Sequence, residues 1–480
     1  MIGKRDRRNR RLFIAGDIEQ FIPEDHILKR VDRFLDLSWL SEEVKGCYCP
    51  DNGRPSIAPE AAVRLMIAGF FQGIIHDRKL MREAQVNLAI RWFAGYELDE
   101  ELPDHSSLSR IRDRWGAEKF KGIFTRMVKL CIEAGLVSGE TVHVDSTLIR
   151  ADVSWESLVT KHAEEVISEN REEEGETDPR KRRGRPRTRA KQKKVSLTDP
   201  EATMATSSSN YYMEPTYKQH TAVDDQAGIV IDVDLTTGEI NEGTKLIETI
   251  DRIEDLTQKP IQCVTADKGY SHSVNYQELD KRKIDAVIPP QRDSEYGKGN
   301  LSIRRFKYDG LQQRVVCPGG KVLTQASRVK KGWLYKAKRI DCRYCTLSQQ
   351  CLPPTARTRS ILIVDGYEAL LRARRRKLRG WDDQTKRLYH RHRHLVEGIH
   401  GEAKTQHGLR RAVRRGLEKV AIQVYLTAVV INLKRLALAS IGPIDRCFYA
   451  LQGVLKNIYN LITCLRRKYS FSIKSLCLAT

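Results

Sequence analysis

Three acidic residues stand in surroundings that could do chemistry: Asp145 in "VHVDST", Asp267 in "VTADKGY" and Glu397 in "RHRHLVEGIHGEAKTQHGLRR". The first two follow short apolar runs, which the pattern predicts to be strands ending at the aspartate. Carboxylates set where sheet strands end can meet beside one ligand although far apart in sequence. Three of them at one point repel each other unless a divalent cation neutralises them. Hard cations such as Mg²⁺ take oxygen ligands and keep positions open for phosphate oxygens. Two such ions, about 4 Å apart, would clamp the attacking and leaving oxygens of a phosphoryl transfer. The chemistry this set predicts is metal-dependent cutting or joining of nucleic acid. Either aspartate taken singly reads more simply as a surface acid.

Residues 391–411 hold two glutamates, and helix geometry separates them. Each residue turns about 100°. Arg393 precedes Glu397 by four positions and Lys404 follows it by seven, so the three share one face. Glu402 lies roughly 140° round the helix and cannot join that stripe. Glu397 is therefore the candidate metal ligand, with Arg393 and Lys404 holding a phosphate or tuning the carboxylate. Glu402 is expected to be solvated. On spacing alone, Arg393–Glu397 reads as well as an ordinary helix ion pair.

The chain has 480 residues, with 84 Lys and Arg against 62 acids and a net charge of +22. That excess points to a polyanionic partner, most simply nucleic acid. No run approaches the roughly 20 apolar residues of a membrane span, and no lipid anchor is present. The basic start "MIGKRDRRNRRLF" lacks the apolar core of a signal peptide. A cytoplasmic, nucleoid-associated protein without membrane contact is expected. Its 11 cysteines then read as thiols or metal ligands rather than disulfides.

The elements that must position these residues alternate along the chain. Residues 1–138 are predicted to be a helical DNA-binding or assembly domain, with Pro59 opening one helix and a Ser cap after Pro103 opening another. Arg110, Arg112 and Arg114 lie close together there and could touch phosphates or simply face solvent. Residues 139–300 alternate strands and helices, including a hairpin around "DDQAG", which argues for an α/β or α+β sheet. Within them, 160–210 reads as a disordered basic insertion. Residues 301–384 form a Cys-rich insertion, 385–440 supply the acidic helix and a closing apolar helix, and 441–480 form a helical tail. Gln423 inside the closing helix favours packing over membrane insertion.

Together the motifs resemble the bacterial insertion-sequence transposases of the DDE group. "HVDST" resembles their first-aspartate strand and "ADKGY" their second. "RHLVEGIHGEAK" resembles their tyrosine–arginine–glutamate–lysine signature, with Arg393, Glu397 and Lys404 in register. The signature's tyrosine position holds His390, with Tyr389 next door. "GRPSIAP", "GYELDEELPDHSSLSRIRDR", "SLTDPEA" and "CPGG" further resemble one subgroup with an N-terminal helical domain. The resemblance implies an RNase H-like mixed sheet flanked by helices. It implies two Mg²⁺ ions, replaceable by Mn²⁺, on Asp145, Asp267 and Glu397. One would activate water to cut at an element end, and the released 3′-hydroxyl would attack target DNA. It also implies a homodimer or higher multimer on double-stranded DNA, both element ends and target. The rivals are a nuclease of the same fold without strand transfer and an inactive DNA-binding relic.

Two further signals stand beside this set. "RKRRGRPRTR", with Arg183, Arg185, Pro186 and Arg187, resembles an AT-hook whose arginine enters a narrow minor groove, or else is a nonspecific basic linker. Cys317, Cys342, Cys345 and Cys351 are enough thiolates for a structural zinc site, or are reduced thiols. His390, His392, His394 and His400 read as DNA-facing polar residues rather than metal ligands.

Overall fold

The computed structural model describes residues 16–49, 56–161, 193–206, 213–291, 301–353 and 355–439. The segment resembling an AT-hook, with Arg183, Arg185, Pro186 and Arg187, and the tail 441–480 lie outside the described residues.

The N-terminal part is helical: α1 (Ile27–Asp32), α2 (Leu40–Val44), α3 (Pro59–Phe71), α4 (Asp77–Val86), α5 (Leu88–Ala94) and α6 (His105–Glu133). Pro59 occupies the first turn of α3, where its missing N–H costs nothing. The cap of α6 is Asp104 rather than a serine: its carboxylate accepts from the Ser106 N–H at 2.8 Å. Gly116, at φ 67°, breaks α6 into two runs, a left-handed turn that a side chain would resist.

The strands then follow as β1 (Thr141–Arg150), a hairpin of β2 (Leu158–Lys161) and β3 (Lys193–Ser196), β4 (Thr203–Ala205), β5 (Glu214–Asp224), β6 (Val230–Thr237), β7 (Cys263–Ala266) and β8 (Asp285–Val287). Their spatial order is β6–β5–β1–β7–β8, with β4 also on β5. β1, β5 and β6 are antiparallel neighbours, whereas β7 and β8 run parallel to β1. Three antiparallel strands followed by two parallel ones on the other side of the first is the RNase H-like arrangement. The parallel strands need crossovers, and α7 (Leu246–Thr257) and α8 (Ser273–Lys281) supply them.

The Cys-rich stretch is a β-structure that its sequence did not announce. Strands β9 (Lys307–Asp309), β10 (Arg314–Val316), β11 (Val322–Val329), β12 (Gly332–Lys336) and β13 (Ser360–Val364) form an antiparallel sheet in the order β13–β12–β11–β10–β9. The short helices α9 (Arg339–Arg343) and α10 (Ser348–Cys351) sit in the β12–β13 connection.

The chain returns to the core through α11 (Tyr367–Arg379), α12 (Asp383–His392), a π-helical turn (Arg393–Glu397), α13 (Gly398–Gln406) and α14 (Leu417–Ala439). By length and composition α14 could cross a membrane, but 89% of its apolar window is buried inside the fold. Each fully buried Val, Leu or Ile on it contributes roughly 1.5–3 kcal/mol. Its buried Gln423, Thr427 and Asn432 are all hydrogen-bonded. Gln423 donates to the Gly408 and Arg411 carbonyls, and Asn432 pairs with both backbone groups of Val230 on β6. α14 is a packing helix between α6 and the sheet.

Candidate active site

The register of the parallel pair positions the first two acids. Val144 faces Ala266 across β1 and β7, so the next residues, Asp145 and Asp267, emerge side by side. Asp145 does not end its strand, contrary to the sequence pattern. β1 continues to Arg150 because the long β5 pairs with it throughout, whereas β7 stops at Ala266. Asp145 thus stands where the sheet opens on one side of a strand that runs on. Its carboxylate accepts from the Ser146 N–H at 2.7 Å, and Asp267 accepts from Gly269 N–H at 2.7 Å in the turn after β7.

Burial pushes the Asp145 carboxyl up to about 7, and the negative charges of Asp267, Glu242 and Glu397 add to the shift. Burial also raises Asp267, with Glu242 as the charge that adds most. Glu242 was not singled out by sequence reasoning. It sits in a 3₁₀ turn after β6, and its carboxylate accepts a hydrogen bond from the Ser146 hydroxyl. Among the described residues, no Lys or Arg forms an ion pair with Asp145, Asp267 or Glu242. The imidazole of His400 lies 3.8 Å from Asp145, but burial pushes it down to about 3, so it faces the carboxylate uncharged.

Glu397 projects from the π-helical turn, where the even 100° spacing assumed from the sequence fails. It remains 62% exposed, and Arg393 donates to it at 3.4 Å. Lys404 does not reach that pair; it donates to Thr147 on β1 at 2.6 Å, two residues past Asp145. Glu402 is not solvated. It is buried against Lys434 at 2.5 Å, Arg435 at 2.8 Å and His407 at 3.5 Å. Two cations on α14, outside the reach of any local pattern, explain the difference. Tyr389 is half-buried and stacks on His392, while His390 is exposed. The charges of Asp267, Asp145 and Glu397 all reach the Tyr389 hydroxyl.

A polar chain runs behind the acids. His143 bonds Asp225 at 2.7 Å and Thr265 at 2.5 Å, and Thr265 contacts His392 at 3.1 Å. Arg391 closes it by donating to Asp225. The helix bearing Glu397 is thereby tied to β1 and β7. His392 and His400 are buried, so only His390 and His394 keep the exposure expected of DNA-facing residues.

The three arginines of α6 diverge. Arg112 is 5% exposed and bonds Asp77 at 2.7 Å, so it is a buried pairing residue and not a phosphate contact. Alternate positions on a helix point roughly 200° apart, which is why the group splits. Arg114 lies over the Tyr48 ring at 4.7 Å, and Arg110 is exposed. Cys317, Cys342, Cys345 and Cys351 are free thiols drawn into one neighbourhood, the first three adding to the charge felt by Cys351. The Lys321 N–H donates to the Cys317 sulfur at 3.3 Å.

Among the described residues, no three Asp, Glu, His or Cys side chains stand together in metal-holding geometry. The donor chemistry at Asp145 and Asp267 nonetheless fits a hard divalent cation: oxygen donors, partly buried and without a cationic partner. The Tyr270 hydroxyl, fully buried beside them, has no hydrogen-bond partner.

Residues 16–114 match the family model described as a transposase domain (DUF772), and residues 316–437 match that of a transposase DDE domain. The second match covers Glu397 and leaves the aspartate strands outside it. No curated protein matches the chain. Among solved structures, the chain is similar to a piggyBac transposase synaptic complex with hairpin DNA, at 10% identity over 84% of this chain and 73% of that one, TM-score 0.28. It is also similar to the Mos1 transposase paired-end complex with the left transposon end, at 10% identity over 53% and 69%, TM-score 0.16. Both the N-terminal helices and the C-terminal segment of the chain thus match transposase family models.

Proposed function

We propose that the chain cuts DNA at the ends of an insertion sequence and joins the freed strand to target DNA by a two-cation DDE mechanism. Asp145, Asp267 and Glu397 are its acids. The observation that carries this reading is the parallel register that sets Asp145 beside Asp267 without a cationic partner. Divalent cations bound there would activate the attacking oxygen and stabilise the leaving one. Asp145 and Asp267 would hold them from the sheet, and Glu397 would close on them from the helix by leaving Arg393. Arg393, once released, and Lys404 would neutralise phosphate. Tyr389 and the His143–Thr265–His392 chain would hold the helix against the sheet.

The net charge of +22 supports double-stranded DNA as the partner, in the cytoplasm, with Arg110 and Arg114 as contacts at the N-terminal helices. A homodimer or larger multimer would hold two ends. The same reading divides the chain at 138, 300, 384 and 440, and gives the four cysteines a structural zinc.

Cleavage and joining of labelled DNA carrying the flanking ends, with Mg²⁺ or Mn²⁺, tests it. Wild type should cut and join, whereas Asp145→Asn and Glu397→Gln should bind the same DNA and lose at least ~10³-fold in rate. Cleavage by Glu397→Gln at the wild-type rate would remove Glu397 from the mechanism. Cutting without joining would favour a nuclease.

A further inference from the structure

We propose that Glu242 is a fourth carboxylate of the cation centre and binds a divalent cation directly beside Asp145 and Asp267. This rests on the DDE reading above and adds a residue to it.

Glu242 touches both elements that carry the aspartates. On the β1 side its carboxylate accepts from the hydroxyl of Ser146, the neighbour of Asp145. On the β7 side it fills the space over Gly269. A Cβ on Gly269 would lie 1.7 Å from Glu242 Oε1 and 3.0 Å from Asp267 Oδ1, so the two carboxylates are neighbours across that glycine. Only a glycine leaves room for Glu242 there. The turn holding Glu242 is itself fixed: Asn241 caps it, and the Asn275 side chain donates to the Gly243 carbonyl at 2.7 Å.

Charge balance points the same way. In a chain with a net charge of +22, three neighbouring carboxylates lack any Lys or Arg ion pair among the described residues. The adjacent Glu397 carboxylate, by contrast, is turned to Arg393 and 62% exposed. Tyr270 supplies an independent sign of a missing partner. Its hydroxyl is buried without a hydrogen bond and lies within the electrostatic reach of Asp145, Glu242 and Asp267. A cation or its bound water would satisfy that hydroxyl as well as the acids. Glu242 then supplies the sheet-side charge, and Glu397 joins from the helix when Arg393 releases it.

Titration of the full-length chain with Mn²⁺, following the free ion by electron paramagnetic resonance, tests this without DNA or turnover. Glu242→Gln keeps the size and the acceptor for Ser146, and a thermal melt confirms that it folds. Gly269→Ala keeps the charge and pushes the carboxylate aside, which a flexible side chain permits. Asp145→Asn reports the centre itself. The expected result is at least ~10-fold weaker Mn²⁺ binding in the Glu242 and Gly269 variants, and a larger loss in the Asp145 variant. If both the Glu242 and Gly269 variants bind within about twofold of wild type while Asp145→Asn loses binding, Glu242 only braces the turn and the proposal falls. If Asp145→Asn also binds like wild type, the cation centre was misplaced and the underlying reading falls with it.

Discussion

Asp145 shows how a candidate ligand carboxylate sets stability against use. Burial and neighbouring acids raise its pKa from 3.8 to about 7, so the folded chain favours its protonated form. Its stabilising contribution is full below pH 3.8 and is lost as pH rises through about 7. Asp145→Asn cannot ionise and escapes that loss. Denaturant unfolding in chelator should find it more stable than wild type by roughly 1–3 kcal/mol above neutral pH, with no difference in acid. Equal stability at every pH would show that the carboxylates do not oppose one another. Glu402 runs the other way. Burial alone would raise it, but the neighbouring His407, Arg435 and Lys434 hold it well below 4.5. Its contribution is present above 4.5 and lost as pH falls. Glu402→Gln leaves the half-buried Lys434 and Arg435 short of a partner and should cost roughly 1–3 kcal/mol at neutral pH, the gap narrowing in acid. An unchanged unfolding midpoint would mean that these contacts hold nothing.

At the scale of elements, unequal strand lengths make the site. A short β7 beside a long β1 opens the sheet at Asp145, while the turn after β7 places Asp267 there. The π-helical turn sets Glu397 at the join of α12 and α13, where a helix can change its winding with few bonds at stake. The antiparallel sheet 307–364 brings Cys317, on its β10–β11 turn, toward the Cys342, Cys345 and Cys351 of its two short helices. Sulfur atoms of Cys317 and Cys345 both lie within 3.7 Å of the Cβ position of Gly319. On the zinc reading proposed above, purified protein should carry about one zinc per chain, whose removal by chelator lowers the unfolding temperature. Elemental analysis finding no zinc, with no effect of chelator, would leave these as plain thiols.

Across the whole molecule, one apolar core runs from the N-terminal helices through the sheet to α14. The contact between α3–α6 and the segment 400–414 is polar as well. Asp77 binds Arg112 at 2.7 Å and Arg414 at 2.8 Å, and His407 bonds the Phe70 carbonyl at 2.7 Å. The end of the helix that bears Glu397 is thus held by the helices that precede the sheet. Arg112→Ala leaves Asp77 buried beside a single cation and should destabilise the chain by about 3–5 kcal/mol, whereas the exposed Arg110→Ala should have little effect. Equilibrium unfolding of both variants compares them directly. Equal stabilities would mean that the helices and the core are held by apolar packing alone.

The sequence alone determined what depends on near neighbours. Apolar patterning located the strands before Asp145 and Asp267 and the hairpin at "DDQAG". Gln423 in an apolar run marked α14 as a packing helix. These follow from backbone periodicity, a local property. Tertiary structure alone decided the rest. Glu402 found cations on another helix, Arg112 found Asp77, and Lys404 found Thr147 on β1. Glu242 reached the aspartates because Gly269 leaves a gap that no motif records. A charged side chain's partner depends on which elements pack together, and its pKa on how deeply they bury it. Neither quantity is carried by spacing along the chain.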